Sequence, residues 1–235
     1  MRPLLDEKEL IWSAVVANSV MNRDRNASGI NSYEKEFKLI PADYLEKLVK
    51  ENGQASWLDL CCGSGLALIQ TASVFARKGL QQQVTLKGID LLDTFPPVDT
   101  QISCLDLEVN SVVDWQSDST YDLITCSHGL HYLGDKLKVI TAAITSLKPN
   151  GYFIAHLDLT NIQVKSTNSD VFLRKLFIRN NLHYNIRNKL ITRKGAGTFV
   201  AELRYLGADD QAGPNYTGQG AVTSYYDLST GVTHQ

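Results

Sequence analysis

Trp57-Leu58-Asp59-Leu60-Cys61-Cys62-Gly63-Ser64-Gly65 is an apolar run that ends in an acid and a pair of glycines. The pattern predicts a buried strand that breaks into a tight turn, with a helix starting near Leu66. Glycines in such a turn let backbone approach a ligand closely, and the helix that follows aims free N–H groups at it. Asp59 sets the charge of that ligand. A pyrophosphate would be repelled by a carboxylate beside the turn, whereas a cation would be attracted.

Outward from this stretch the chain alternates strands and helices, the mark of a parallel sheet covered on both faces. Trp57–Leu60 is followed by a helix from about Leu66 to Lys78, and Val84–Ile89 is a second strand. A loop with Pro96 and Pro97 leads to a short third strand near Gln101–Cys104, and Tyr121–Cys126 is the fourth. A helix from about Lys136 to Leu147 and the turn Pro149-Asn150-Gly151 precede a fifth strand, Tyr152–Leu157. Beyond it lie a helix near Asp170–Asn180 and strand-like segments around Tyr184–Thr192, Thr198–Leu206 and Ala221–Tyr226. The bend Lys194-Gly195-Ala196-Gly197 pairs the first two of these segments as a hairpin. Ahead of the sheet, Leu10, Ile11, Ala14, Val15, Asn18 and Met21 share one face of a helix expected from Asp6 to Asn22. A second helix is expected from Pro41 or Ala42 to Glu51, stopped by Asn52-Gly53.

Ligands of an open parallel sheet bind outside the carboxyl ends of its strands. Asp59 stands at the first of these ends, Asp90 at the second, Asp106 beyond the third, and Ser127, His128 and His131 after the fourth. Asp90 is placed to accept from a ribose diol. Asp106 is placed to accept from an adenine amino group, with Leu105 or Leu107 packed on the ring. Three acids at one edge suit a ligand that is cationic and carries amino and hydroxyl groups.

At this point the sequence resembles the class I S-adenosylmethionine-dependent methyltransferases. The resemblance rests on Leu58–Gly65, Gly88-Ile89-Asp90, Leu105-Asp106, Tyr121-Asp122-Leu123-Ile124 and Leu147-Lys148-Pro149-Asn150-Gly151, and spans roughly Tyr33 to Leu157. It implies an α/β, Rossmann-like, doubly wound seven-stranded sheet with a C-terminal antiparallel hairpin. Residues 1–53 would form a helical cap or lid and residues 54–235 the methyltransferase domain. It implies S-adenosylmethionine as cofactor, held by Asp59, Gly63, Gly65, Asp90 and Asp106, with Cys61, Leu91, Leu107 and Ser127 completing the surface. Within the lid, Arg23 would pair with the cofactor's carboxylate and Tyr33 would line the methyl-transfer pocket. Cys61 and Asn150 depart from the family, standing where glycines are usual.

The sulfonium is an activated donor, so alignment for in-line displacement can supply much of the acceleration and no metal is required. His128 or His131 is a candidate general base, since imidazole titrates near neutral pH, and the Leu130-His131 pair favours His131 by resemblance. The polar stretch from Gly207 to Gln219, with Asn215 and Tyr216, is a candidate acceptor-binding loop if Thr198–Leu206 is the sixth strand, and starts at the opposite edge if Tyr184–Thr192 is. Two rival readings differ in class. A nicotinamide oxidoreductase would want a third glycine where Leu68 stands and no acid at Asp59. A catalytically silent binding module would not need an intact glycine turn beside three acids.

Composition narrows the partners. The 235 residues carry a formal charge of −2, which offers no general attraction to nucleic acid or to an anionic membrane. One basic cluster, from Arg174 to Lys194, contains no acid and reads as a solvated face. Cys61, Cys62, Cys104 and Cys126 lack metal-ligand spacing and suit a reducing compartment. The chain begins without an apolar signal core and holds no run of membrane-spanning length. The expectation is a cytoplasmic enzyme acting on a small-molecule or peptide acceptor, without nucleic acid or membrane as partner.

Overall fold

The computed structural model of the chain describes residues 3–17, 24–117 and 119–228. Three helices precede the sheet: α1 (Glu7–Leu10), α2 (Tyr33–Phe37) and α3 (Pro41–Asn52). Pro41 starts α3, where its missing N–H costs nothing. Gly53 ends it with φ 78°, donating its N–H to the Val49 carbonyl at 2.8 Å. The alternating part then runs β1 (Ala55–Leu60), α4 (Leu66–Arg77), β2 (Val84–Asp90), β3 (Leu105–Val109), β4 (Tyr121–Cys126), α5 (Lys136–Thr145) and β5 (Leu147–His156). It closes with β6 (Ile162–Val164), α6 (Ser169–Arg179), β7 (His183–Asn185), β8 (Leu190–Lys194), β9 (Leu203–Asp209) and β10 (Thr223–Leu228).

Seven strands form the main sheet in the order β3-β2-β1-β4-β5-β8-β7, parallel from β3 through β5, with β8 antiparallel to β5. The fold is the expected α/β Rossmann-like one with an antiparallel hairpin at its C-terminal edge. Both faces of the sheet are buried, so alternate residues of one strand serve two cores. Trp57, Leu86, Leu123 and Ile154 pack with Leu45, Leu68 and Phe75 of α3 and α4. Leu58, Leu60, Ile89, Ile124 and Phe153 pack with Leu137, Ile140, Ile144 and Leu173 of α5 and α6. Side chains of this size contribute roughly 1.5–3 kcal/mol each when fully buried.

Four sequence expectations are corrected. The first helix stops at Leu10 and continues as turns to Ala17, residues 18–22 lying outside the described part. Strand three starts at Leu105 instead of ending at Cys104. The edge hairpin is β7 with β8, which together divide the segment read as one strand. The next segment, β9, instead pairs antiparallel with β10 in a second, three-stranded sheet ordered β6-β10-β9.

Candidate active site

The order of the main sheet reverses between β1 and β4, and ligands of such sheets bind outside the strand ends at that crevice. A cavity of about 390 Å³ opens there. Its floor is made by Cys61, Cys62 and Gly63 after β1, Asp90 and Leu91 after β2, Ser111 to Val113 after β3, and Ser127 to Gly129 after β4. Its walls come from α1 (Glu7 and Leu10), Arg25, α2 (Tyr33 and Glu36) and the β9–β10 loop (Tyr216, Thr217 and Gln219).

Gly63 turns the chain with φ 63°, and its N–H donates to Asp90 Oδ2 at 2.8 Å. Asp90 Oδ1 accepts from the Leu92 N–H at 3.1 Å. One carboxylate therefore fixes the glycine turn and still borders the cavity. Cys61 and His128 hold left-handed backbone at φ 56° and 62°. Two side-chain-bearing residues with such backbone on the floor of one cavity mark a site where function outweighs local strain.

Asp59 is fully buried and does not reach the cavity surface. Its Oδ2 accepts from the Tyr33 hydroxyl at 2.5 Å and its Oδ1 from Thr125 Oγ1 at 2.6 Å, which itself accepts from Trp57 Nε1 at 2.8 Å. Burial pushes the Asp59 carboxyl up to about 7, against the lowering effect of the bonds from Thr125 and Tyr33. Tyr33 thus stands between this acid and the cavity.

A second cluster is built on the same helix, α2. Glu36 Oε1 meets Arg25 Nη1 at 2.7 Å and His128 Nε2 at 3.4 Å, and its Oε2 lies 3.3 Å from His156 Nε2. The His128 and His156 rings are stacked, with centroids 3.9 Å apart and an interplanar angle of 10°. These imidazoles hold the Glu36 carboxyl well below the usual carboxylate range despite partial burial. Burial brings His156 down to about 4.

With this geometry in view, comparison with known proteins is decisive at the level of family. The methyltransferase domain family matches residues 33–192. The chain belongs to that family. No curated protein matches it in sequence. Among solved structures it is similar to the N-methyltransferase NodS from Bradyrhizobium japonicum WM9, in complex with S-adenosyl-L-homocysteine. That pair shares 15% identity over 81% of this chain and 98% of the other, with a TM-score of 0.45. It is also similar to an amino pentose methyltransferase from Micromonospora echinaspora, with 19% identity over 49% of this chain and 48% of that one, at TM-score 0.36. A sugar N-methyltransferase from Streptoalloteichus gives 19% identity, 48% and 46% coverage and the same TM-score, 0.36. The chain spans about half the length of these last two.

Within this methyltransferase fold, Cys61, Gly63, Asp90, Leu91, Ser127, His128, Tyr33 and Tyr216 meet at the cavity. Other expected residues do not. Asp106 is the second residue of β3, opposite Lys87 of β2, and its largely exposed carboxylate pairs with Lys87 Nζ at 2.7 Å. Because β3 begins four residues later than expected, Ser111 to Val113 occupy the strand end instead. Gly65 and Leu107 sit behind the turn. Gly65 opens α4 at φ 70°, and a Cβ there would lie 3.1 Å from Leu107 Cδ2. His131 is sealed in the interior, absent from the cavity wall, and burial pushes its imidazole well below the ordinary range. Asn215 is also buried, its Oδ1 accepting from the Thr217 N–H and hydroxyl, so it shapes the loop that presents Tyr216. Arg23 lies outside the described residues.

Arg25, Glu36, His156 and the residues after β3 were not read as site residues from sequence, and Gln219 only as the end of the polar loop. Glu36 carried one signal, its place one helical turn after Tyr33.

Proposed function

We propose that this chain transfers the methyl group of S-adenosylmethionine to a small-molecule or peptide acceptor. One observation carries the reading: Asp90 fixes the Gly63 turn while bordering a cavity at the ends of four parallel strands. A diol-accepting acid beside a close-approach glycine is what a nucleoside needs, and the volume is within the range of small-ligand sites. When bound, the cofactor supplies an activated methyl group on a sulfonium, so the chain has to position the reactants and exclude water. Asp90 takes the ribose, Leu91 and Val112 flank the base, and Tyr33 closes the wall near the methyl group.

His128 is the imidazole at the cavity surface and accepts the acceptor's proton, while Tyr132, Tyr216 and Gln219 line the acceptor's side. Residues 1–53 act as a cap over this cleft and residues 54–235 as the catalytic body. The four cysteines are free, as suits the reducing cytoplasm, and among the described residues no helix is long and apolar enough to cross a membrane.

Conversion of S-adenosylmethionine to S-adenosylhomocysteine in the presence of acceptor mixtures tests the role of His128. His128→Asn lowers kcat by about 10²–10⁴-fold and leaves cofactor affinity unchanged. His131→Gln affects turnover no more than it affects stability. Equal kcat for wild type and His128→Asn contradicts the assignment.

A further inference from the structure

We propose that Glu36 is the positioning residue of His128: it holds the imidazole proton on Nε2 and so leaves Nδ1 as the atom that takes the acceptor's proton. The catalytic part of this inference rests on the methyl-transfer reading. The protonation pattern rests on the geometry alone.

Two imidazoles stand side by side against one carboxylate. The His128 and His156 rings are parallel to within 10°, with centroids 3.9 Å apart. Their Nε2 atoms meet different oxygens of Glu36, His128 with Oε1 at 3.4 Å and His156 with Oε2 at 3.3 Å. An ionised carboxylate only accepts, and its two oxygens offer about four lone-pair sites. Oε1 can therefore serve both Arg25 Nη1, at 2.7 Å, and His128. A ring nitrogen that faces such an oxygen is stabilised as N–H, because a bare lone pair there is repelled.

His156 supports this tautomer independently. It is buried, and its Nδ1 has no hydrogen-bond partner among the described residues. An N–H buried without an acceptor is a costly orphan, so the proton of His156 belongs on Nε2, against Glu36. The His128 ring lies parallel to it and faces the same carboxylate, which imposes the same choice.

Access separates the two histidines. His128 borders the cavity and His156 does not. His156 covers one face of the His128 ring and Glu36 meets its Nε2, so Nδ1 is the nitrogen left for the acceptor. As the acceptor's bond to methyl forms, the methyl–sulfur electron pair stays on sulfur and the acceptor's proton passes to Nδ1. His128 is then a cation, and Glu36 is already its counter-charge. The 3.4 Å contact can shorten to the roughly 2.7–2.9 Å of a charge-assisted bond. Burial brings His156 down to about 4, so at neutral pH that ring adds no repulsion. The Arg25 guanidinium opposes the new cation, and the carboxylate that both contact offsets it.

Nitrogen NMR of full-length protein with isotopically labelled histidine, free of cofactor and acceptor and in mildly alkaline buffer, reads the tautomer directly. His128 and His156 are each expected with the proton on Nε2 and a bare Nδ1, and Glu36→Ala turns His128 into a mixture of both tautomers. The wild-type spectrum needs no variant, so it decides even where Glu36→Ala fails to fold. His128 protonated on Nδ1 in the wild type, or an unchanged pattern in folded Glu36→Ala, overturns the proposal. With the acceptor mixtures used for His128, Glu36→Ala lowers kcat at least about 10-fold. Glu36→Ala combined with His128→Asn is no slower than His128→Asn alone, whereas losses that multiply overturn the proposal. A wild type that shows the expected tautomer yet binds no S-adenosylhomocysteine supports this assignment and contradicts the methyl-transfer reading.

Discussion

Cys61 occupies a backbone conformation, φ 56°, that costs a side-chain-bearing residue about 1–2 kcal/mol. It is accommodated because residue 129 is glycine: a Cβ there would lie 2.2 Å from Cys61 Cβ and 2.7 Å from its Sγ. Gly129→Ala should therefore destabilise by about 1–3 kcal/mol in denaturant unfolding, and adding Cys61→Gly should restore most of the loss. Equal losses in the single and double variants would refute this pairing. Asp59 yields a pH prediction. Its folded pKa of about 7 lies above the ordinary 3.8, so the folded state holds a proton that the unfolded state releases between those values. Its stability contribution is complete below about pH 4 and declines as pH rises towards 7, by at most about 1.4 kcal/mol per unit. Relative to Asp59→Asn, the wild type loses Tm across that window; parallel pH profiles for the two proteins contradict it. The acid and glycines of this turn were legible at once. That the Tyr33 hydroxyl caps Asp59 was not, since Tyr33 approaches from a segment 26 residues earlier.

Elements with strong local signals were read correctly, and errors fell where long-range contacts or unusual backbone overrode pattern. Leu10, Ile11, Ala14 and Val15 have helical spacing, yet Ser13 leaves the helix to donate to Asp210 Oδ2 at 2.7 Å and accept from the Val15 N–H. The β7–β8 turn contains no glycine. Asn185 Oδ1 accepts from the Asn188 N–H and Lys189 takes φ 54°, so a hairpin was hidden in what read as one strand. The third strand slid because its register is set by β2, with Leu86 opposite Leu105, and that slide removed Asp106 from the site. The second sheet is tied to the body by Lys136 of α5, fully buried, whose Nζ donates to the carbonyls of Leu133 and Val222 and to Ser224 Oγ. Burial brings this lysine down to about 7. Lys136→Met leaves those acceptors without a donor and should cost at least about 2 kcal/mol in chemical denaturation. An unchanged unfolding midpoint would show that the tie contributes nothing.

At the scale of the molecule, the sheet order brings four strand ends to one edge, and the N-terminal segment and the β9–β10 loop wall that edge in. The family and the cleft at the strand ends were visible in the sequence because they depend on local turns repeated along the chain. The rest of the cavity wall was legible only in part: His128 and Tyr216 were candidates from sequence, whereas Glu36 and His156 join His128 only through the tertiary fold. The central claim is that this cleft holds S-adenosylmethionine in the grip of Asp90, and binding of S-adenosylhomocysteine against NADH, followed by calorimetry and thermal shift, tests it most directly. The account predicts one saturable site for S-adenosylhomocysteine, stabilisation of about 2.7 kcal/mol at 100 times the Kd, loss of that site in Asp90→Ala, and no response to NADH. Saturable NADH binding with none for S-adenosylhomocysteine would contradict it.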